Sequence, residues 1–391
     1  MENKETIWSV PFVLLMAVNF FSGVAAYINN AIIPVYADHL GASAAVVGFV
    51  FGAFAMSAIL IRPFAGPAFD SFSRKKLLVI SLSLGVMANI LYTFFASIPV
   101  LVFARLLQGI TVGCMGPLTL SLVSETLPVG KLASGISIYT LSQTVAQVIG
   151  PAIGLWLMEA VGFSTTFGIG AGMAALALVS VLPLKEGERE LLPYQLKLSR
   201  MFASEAVVCA IMMFLVAIPY AVMNSYIVLY GYMLGIENVA IFFIVYALCM
   251  VVTRPVFGKL ADNIGMPKVI FISIIFYMIA NALIWNMHDF AGMIIAAVAS
   301  AAGFGAAYPL IQSLAISSAP IERSGAAGNT VYCGMDFAML VGPSLAGIVI
   351  EFFLSSTGSE LMAYSTIWLT MLIPLAIALF IVAVWARGRK A

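Results

Sequence analysis

Twelve long apolar stretches follow one another through this chain, and charged or polar clusters separate them. An α-helix that crosses the hydrocarbon core of a bilayer needs about 20 predominantly apolar residues. The sequence therefore predicts an all-α membrane protein with twelve transmembrane helices. The predicted spans cover about residues 9–34, 44–68, 77–95, 99–124, 132–157, 165–184, 205–231, 239–261, 269–287, 291–316, 326–353 and 361–385.

The composition excludes several classes of protein. Of the 391 residues, 63% are hydrophobic and 9% are charged, whereas about 25% of the residues in a soluble domain are charged. The 18 basic and 17 acidic residues leave a net charge of +1, so no basic surface is available for nucleic acid. The four cysteines form neither a CxxC pair nor a zinc-ligand spacing, and we expect no metal and no cofactor.

The positions of the basic residues predict the orientation of the spans. Lysine and arginine in short loops remain on the cytoplasmic side of a membrane. If the N-terminus is cytoplasmic, every basic residue outside the spans falls on that side, and the opposite loops contain no lysine or arginine but include acidic residues and both histidines. We therefore expect a multi-pass protein of the cell inner (plasma) membrane with both termini in the cytoplasm.

The longest hydrophilic stretch divides the predicted spans six and six. It reads KEGERELLPYQLKLSR at residues 185–200. The predicted organisation is a six-helix half at 1–184, a cytoplasmic linker at 185–204 and a second six-helix half at 205–391.

An internal repeat relates the two halves. The segment RPFAGPAFD begins at Arg62 and RPVFGKLAD begins at Arg254, an offset of 192 residues (254 minus 62). A glycine and a proline in span four recur in span ten at the same offset, as do the GP dipeptides at 150–151 and 342–343. One offset shared by three separate blocks indicates two copies in the same orientation, related by an axis along the membrane normal.

At these positions the sequence resembles the major facilitator superfamily. The family's signature loop between spans two and three is matched by Gly66, Asp70, Arg74 and the two lysines that follow, although serines at 71 and 73 replace the usual arginine and glycine. A degenerate second copy includes Asp262. Span four contains RLLQGITVG and span five contains GPAIG, which is similar to the antiporter motif of drug/proton exchangers. The resemblance implies that spans one, four, seven and ten line a central cavity.

The resemblance also implies a gate at the cytoplasmic mouth. Gly66, Asp70, Arg74 and Asp262 would form it, with charge-assisted contacts between the loop and neighbouring helix ends. The alternative is a solvated loop that only follows the distribution of basic residues.

Span five carries a polar face. Gln143 and Gln147 are four residues apart and therefore project from one side of a helix. Glutamines inside a bilayer need partners, so we expect this face to point inward. Gly150 and Pro151 continue the span; the resemblance implies a gating kink that prevents leak, and ordinary close packing is the alternative.

Two charges within the spans have no charged counterpart in the repeat. Arg105 corresponds to Ala297, and Asp336 corresponds to Thr144. Asp336 follows Arg323 by 13 residues, which is about 20 Å of helix and places it near the middle of the membrane. Because duplicated charges favour a structural role and unique charges favour function, we interpret Asp336 and Arg105 as the proton-coupling residues.

Each of these two charges keeps an alternative. A buried carboxylate such as Asp336 can alternate between neutral and charged forms, as a proton carrier requires, or it can hold span eleven permanently to a neighbour. Arg105 does not lose its proton, so it needs an acid, a carbonyl oxygen or an anionic group as its partner. It either adjusts the acid in coupling, binds a substrate carboxylate, or only packs toward the outer face.

The resemblance adds polar residues of spans one, seven and ten to the candidate substrate contacts. Hydrogen bonds between helices, or tyrosines at the membrane interface, are the alternative for some of them. The full candidate set for substrate binding is Asn29, Arg105, Gln143, Gln147, Asn224, Tyr226, Tyr308 and Asp336.

These features predict a secondary active transporter that works by alternating access, with proton-coupled efflux of a small amphipathic compound as the first hypothesis. The alternative is proton-linked or exchange transport of a small organic anion, a carboxylate held by Arg105. No GxxxxGK[ST] string is present to bind ATP, and the only two histidines lie in loops without an arranged catalytic partner, so we expect no enzyme. The expected partners are a small-molecule substrate, protons and the lipid bilayer, and we expect a monomer.

Overall fold

The computed structural model describes residues 7–128, 132–185, 193–194, 202–320 and 323–388. Within these ranges, twelve helical segments are long and apolar enough to cross a membrane. The predicted fold class, an all-α membrane protein with twelve spans, is therefore confirmed. Most of the linker predicted at 185–204 lies outside the described residues.

Thirteen α-helices in the described ranges form the twelve spans, because the last span is divided into two helices. The first six are α1 (Val10–His39), α2 (Ala44–Ser71), α3 (Arg74–Phe94), α4 (Ile98–Thr126), α5 (Leu132–Val161) and α6 (Phe163–Val181). A short 3₁₀ turn at Ser204–Ala206 precedes α7 (Val207–Met233), α8 (Ala240–Ile264), α9 (Met266–Trp285), α10 (Phe290–Ser318), α11 (Ser324–Thr357), α12 (Glu360–Thr370) and α13 (Leu372–Gly388).

Several helices extend beyond the predicted spans, because the hydrogen-bonded helix continues past the apolar residues to a capping side chain. Ser73 caps α3, and its hydroxyl accepts a hydrogen bond from the Lys76 backbone N–H at 3.2 Å. Asp289 caps α10 in the same way through the Gly292 N–H at 2.7 Å. A side-chain acceptor at this position satisfies one of the N–H groups that have no partner within the helix.

Packing divides the chain into two compact units. The first unit contains Met1–Tyr36 and Ala53–Leu196, and the second contains Ala37–Gly52 and Lys197–Ala391. In the first unit α3 packs on α4 and α6, and in the second unit α7 packs on α11 while α9 packs on α10. The first turns of α2 therefore belong to the second unit, and the remainder of this helix belongs to the first.

The offset of 192 residues reappears as equivalent contacts within each unit. In the first unit Gly113 of α4 lies so close to α2 that an added Cβ would collide with the Ile61 side chain. In the second unit Gly305 of α10 occupies the equivalent position. An added Cβ on Gly305 would lie 2.7 Å from the Met250 Cγ and 3.5 Å from the Thr253 Oγ1 of α8. Small residues let membrane helices approach closely, so both units build the same helix crossing with a glycine in the same place.

Candidate functional site

Arg105 in α4 is fully buried in the first unit. Its Nη1 donates hydrogen bonds to Asn30 Oδ1 of α1 and to Gln108 Oε1 of α4, each at 3.0 Å. The ring centroid of Phe54 in α2 lies 4.6 Å from the Arg105 Cζ, a distance that allows a cation–π interaction. These contacts offset part of the cost of burying a guanidinium group that remains charged.

Gln108 connects this arginine to α3. The Tyr92 hydroxyl donates to Gln108 Oε1 at 3.1 Å, so one carbonyl oxygen accepts hydrogen bonds from both Tyr92 and Arg105. Tyr92 also packs on Phe167 of α6, with ring centroids 5.3 Å apart. We refer to five residues as the arginine cluster: Asn30, Phe54, Tyr92, Arg105 and Gln108.

Asn29, a predicted substrate contact, is fully buried between helices of the first unit. Its Nδ2 donates to Asn89 Oδ1 at 3.0 Å, and Asn89 Nδ2 donates to the Gly85 carbonyl at 2.9 Å. An added Cβ on Gly170 would lie 3.0 Å from Asn89 Oδ1, so α6 also approaches this position. The structure thus gives Asn29 a hydrogen bond between helices, which was the alternative to substrate contact.

Asp336 lies in α11 and is 5% exposed within the second unit. Two residues earlier, an added Cβ on Gly334 would collide with the Ala210 carbonyl oxygen of α7, and Gly342 lies near Ile218 of the same helix. The backbones of α11 and α7 therefore approach each other closely on both sides of the aspartate. Arg105 and Asp336 are the only charged residues among the buried side chains of the described ranges.

An aromatic stack joins α7 and α10 in the second unit. The rings of Tyr220 and Phe304 are 4.1 Å apart with an interplanar angle of 4°, and Phe304 stacks in turn on Tyr308 at 5.5 Å. Gln312 Nε2 donates to the Tyr308 hydroxyl at 2.9 Å, and Asn224 Nδ2 donates to the Tyr220 carbonyl at 2.8 Å. Of the predicted substrate contacts, Tyr308 belongs to this stack and Asn224 lies one helical turn after its first ring.

Tyr226 occupies a different environment, at the start of α2. It is fully buried, and its hydroxyl lies 2.8 Å from the Ala44 carbonyl oxygen and 2.9 Å from that of Pro343. A phenol has one proton and donates to one of these oxygens at a time. The structure therefore places this predicted substrate contact as a connection between α7, α11 and the beginning of α2.

The basic first turn of α3 contacts neighbouring helices of the first unit. Arg74 forms an ion pair with Glu125 at the end of α4, and its Nε donates to the Phe69 carbonyl at 3.2 Å. Lys75 Nζ donates to the Leu182 carbonyl at 2.7 Å, just after α6. Arg74 and Lys75 thus connect the first turn of α3 to the end of α4 and to the residue that follows α6, and the gating role of Arg74 stays a prediction.

The other residues predicted for this gate are Gly66, Asp70 and Asp262, and the structure describes the surroundings of Asp262 alone among these three. Gly66 and Asp70 lie at helical positions of α2, and the surroundings of both residues fall outside the described part of the structure. Asp262, in the degenerate second copy of the motif, is exposed near the end of α8. Ser73, which departs from the family pattern, has a clear role as the N-cap of α3.

The glycine motif of α5 packs on α1. An added Cβ on Gly150 would lie 2.5 Å from the Tyr27 Cβ, and Pro151 lies within the helix, which continues to Val161. Gln143 is exposed and Gln147 is half-buried. The α5 backbone at Gly150 thus packs closely on α1, whereas Gln143 and Gln147 lie on a less buried part of α5.

The model of the Major Facilitator Superfamily matches residues 15–245 and 237–391, nearly the whole chain. The chain belongs to the Major Facilitator Superfamily. It is a transporter of this family and not an enzyme, and its multi-pass fold with twelve candidate spans agrees with that assignment.

The relatives of this chain include a bacterial export protein and bacterial drug-resistance proteins. The Staphylopine export protein of Staphylococcus aureus is 27% identical over 278 residues, which cover 66% of this chain and 67% of that protein. Multidrug resistance protein 1 of Bacillus subtilis is 23% identical over 329 residues, which cover 81% and 84% of the two chains. These proteins are similar to this facilitator, and their names describe their own activities.

Solved structures show the same fold at low sequence identity. The nucleoside transporter NupG superposes with a TM-score of 0.77 and 14% identity, covering 96% of this chain and 98% of its own. A bacterial homologue of the human lysosomal transporter Spinster gives a TM-score of 0.76 and 15% identity, covering 98% of both chains. At such identities the likeness establishes the fold alone.

Sequence reasoning did not single out Asn89 or Tyr92. For Asn89 a signal was present, because Asn281 lies 192 residues later and donates to the Tyr277 carbonyl at 2.9 Å, as Asn89 does to that of Gly85. For Tyr92 no such signal exists, since its contact with α4 depends on the rotation of α3 about its own axis.

Proposed function

We propose that this facilitator exports a small amphipathic compound in exchange for protons, by alternating access. One observation carries the proposal: in the described ranges each unit buries a single charged side chain, Arg105 in the first and Asp336 in the second. Neither charge is repeated at the offset of 192, where Ala297 and Thr144 stand instead. Charges inside a membrane are costly, and most of them mark ion or substrate pathways.

Asp336 is the proposed proton carrier. The close approach of α7 and α11 around it keeps the carboxyl group away from bulk solvent. A carboxyl group in such surroundings can take up a proton on one side of the membrane and release it when its surroundings change. Arg105 supplies a positive charge that does not vary over physiological pH.

The aromatic stack of α7 and α10 supports an amphipathic substrate. Tyr220, Phe304 and Tyr308 provide flat apolar surface, and the amides of Asn224 and Gln312 provide hydrogen-bonding groups close by. Binding sites for small molecules commonly combine aromatic walls with a few polar groups. The direction of transport, export, is supported by the glycine motif of α5 and by relatives named for export and drug resistance.

A small organic anion is the second candidate substrate. The guanidinium group of Arg105 favours this candidate, since arginine can bind a carboxylate through two parallel hydrogen bonds. We rank it second because Arg105 is fully buried and already donates to Asn30 and Gln108.

We further propose that the protein resides in the plasma membrane as a monomer with both termini cytoplasmic, with halves at 1–184 and 205–391. The distribution of lysine and arginine supports this orientation. The first turn of α3, which contains Arg74 and Lys75, would then face the cytoplasm.

Purified protein in liposomes that contain a pH-sensitive dye tests the proposal. A panel of amphipathic cations, neutral lipophiles and carboxylates is added, and proton movement is recorded as each compound crosses the membrane. We expect amphipathic compounds to drive substrate-dependent proton flux opposite to their own movement. Compound movement without proton flux would contradict proton exchange, and flux only with carboxylates would favour the second candidate.

A further inference from the structure

Four aromatic rings pack together in the second unit, where α7, α9 and α10 meet. Phe304 of α10 stacks on Tyr220 of α7 and on Tyr308, as described above. Its ring centroid also lies 6.1 Å from that of Tyr277 of α9, with an interplanar angle of 48°. Gly303 permits this contact, because an added Cβ there would lie 2.5 Å from the Tyr277 Cβ. We refer to Tyr220, Tyr277, Phe304 and Tyr308 as the aromatic cluster.

The aromatic cluster has no aromatic counterpart in the first unit. At the offset of 192, the four rings correspond to Ile28, Gly85, Val112 and Gly116. The equivalent crossing of α3 and α4 therefore forms with a glycine at the position of Tyr277. A tyrosine at this position is thus not a requirement of the repeated helix arrangement.

The hydroxyl group of Tyr277 is the unusual part of the cluster. It is buried and has no hydrogen-bond partner among the described residues, and the whole side chain is 1% exposed. Buried polar groups are normally hydrogen-bonded, and an unpaired one costs free energy. Phenylalanine would supply the same ring without this cost, so packing alone does not account for the hydroxyl.

Tyr230 of α7 provides a comparison within the same unit. It is also 1% exposed, but its hydroxyl donates a hydrogen bond to the Trp285 carbonyl oxygen of α9 at 3.3 Å. The second unit therefore satisfies one buried phenol with its own backbone and leaves the hydroxyl of Tyr277 available to another acceptor.

We propose that Tyr277 determines the specificity of this transporter by donating a hydrogen bond from its hydroxyl to the transported compound. The compound would be flat and aromatic, with an oxygen or nitrogen acceptor at its edge. The acceptor would be uncharged, because an unpaired charge among these rings would be costly to bury. The inference rests on the proposed function, since it takes the aromatic stack of α7 and α10 as a wall of the substrate site.

Binding requires one local change in the cluster. The rings of Tyr220 and Phe304 are 4.1 Å apart, so no further ring fits between them. If the Phe304 side chain turns to another rotamer, the compound can stack on the cluster in its place and present its acceptor to the Tyr277 hydroxyl. The hydroxyl is then paired only while the compound is bound.

A pair of probes with the same shape tests this proposal. In 2-acetylnaphthalene a carbonyl oxygen accepts hydrogen bonds, whereas in 2-isopropenylnaphthalene a CH₂ group replaces that oxygen. Equilibrium dialysis with purified full-length protein in detergent gives the dissociation constant of each probe. Protein-free micelles supply the correction for partition of each probe into the detergent.

We expect the parent protein to bind the acetyl probe about threefold to tenfold more tightly than the isopropenyl probe, the range for one buried hydrogen bond. Tyr277→Phe should remove this preference by weakening the acetyl probe alone. Tyr230→Phe, the matched control, should retain the preference. Phe304→Leu removes a ring from the cluster and should weaken both probes.

Melting temperatures separate this role from a structural one. Tyr277→Phe removes a hydroxyl without an internal partner and should not lower the melting temperature, whereas Tyr230→Phe breaks a buried hydrogen bond and should lower it. An equal loss in both variants, or failure of Tyr277→Phe to fold, would show that a permanently bound group such as a buried water molecule pairs with Tyr277. Either result would overturn the proposal.

Three binding results would also overturn it: equal affinity of the parent for the two probes, no binding of the acetyl probe, or a preference that survives in Tyr277→Phe. The dialysis uses neither transport nor a proton gradient. Selective loss in Tyr277→Phe without substrate-dependent proton flux in liposomes would therefore contradict proton exchange and not the role of Tyr277. Proton flux in a protein without the probe preference would contradict the role of Tyr277 alone.

Discussion

The two units of this transporter share equivalent helix contacts, but the buried polar cluster of the first unit has no counterpart at the equivalent described positions of the second. In the first unit, Arg105 and its partners connect α1, α2, α3 and α4 through hydrogen bonds and a ring contact. At the offset of 192, the arginine cluster is replaced by Val222, Tyr246, Ile284, Ala297 and Ser300. Four helices can therefore pack in this arrangement without the arginine, and so its presence in the first unit calls for a functional reason.

Another helix contact occurs in both units, but the glycine and the larger residue have changed places between the two helices. In the first unit Gly85 of α3 faces Thr111 of α4, and an added Cβ would lie 3.2 Å from the threonine Cγ2. In the second unit Tyr277 of α9 faces Gly303 of α10, and an added Cβ on that glycine would lie 2.5 Å from the tyrosine Cβ. Both positions differ by 192 (277 minus 85, 303 minus 111). Each contact pairs one glycine with one larger residue, which is what packing alone requires.

The largest effect should come from removing the arginine that has no repeat. Arg105→Ala should reduce transport by at least about tenfold, or ~1.4 kcal/mol, since the buried polar cluster loses its charge. Arg62→Ala and Arg254→Ala, at the duplicated positions, should each cost less than about threefold. Initial rates in liposomes at matched protein content measure this. Equal losses in all three variants would break the distinction between unique and duplicated charges.

A second effect, on stability, tests whether the exchanged contact is only packing. Tyr277→Gly should lower the melting temperature strongly, because removing a buried aromatic side chain costs ~3 to 5 kcal/mol. Gly303→Thr should also be destabilising, because the new side chain collides with Tyr277. The double variant recreates the arrangement of the first unit and should be more stable than the sum of the single changes by ~1 to 3 kcal/mol.

Thermal unfolding in detergent gives the four melting temperatures of this cycle. Additive losses would show that α9 and α10 do not tolerate the arrangement that α3 and α4 use, and the structural equivalence of the two units would then fail at this contact.

Sequence patterns predicted the spans and the repeat because both depend on composition and spacing. They also predicted the two buried charges, Arg105 and Asp336, since an unmatched charge stands out against a duplicated background. They did not predict that Tyr226 would contact the start of α2 or that Asn29 would bond to Asn89. Both contacts depend on helix rotation and on how far α2 extends toward α11, and neither quantity is encoded in local spacing.

The smallest effect on stability should come from breaking one exposed ion pair in each unit. Arg74 pairs with Glu125 in the first unit, and Arg323 pairs with Glu205 at 2.5 Å in the second. Each pair is partly exposed, so Glu125→Gln and Glu205→Gln should each change stability only slightly, because solvent screens the two charges. Melting temperatures in low and high salt measure this, and salt should reduce both effects. A larger loss in only one unit would identify the pair that also acts as a gate.

We propose that the unmatched buried charges of this transporter perform transport, whereas the duplicated charges maintain the fold. The most direct measurement compares Asp336→Asn with Asp262→Asn for substrate accumulation driven by an imposed proton gradient in liposomes. Asp336 is buried and has no charged counterpart, whereas Asp262 is exposed and repeats Asp70. We predict that Asp336→Asn abolishes accumulation but retains downhill exchange of substrate, and that Asp262→Asn accumulates substrate at close to the parent level. Accumulation by Asp336→Asn equal to that of the parent would show that Asp336 is not the proton carrier and would place this role at another residue.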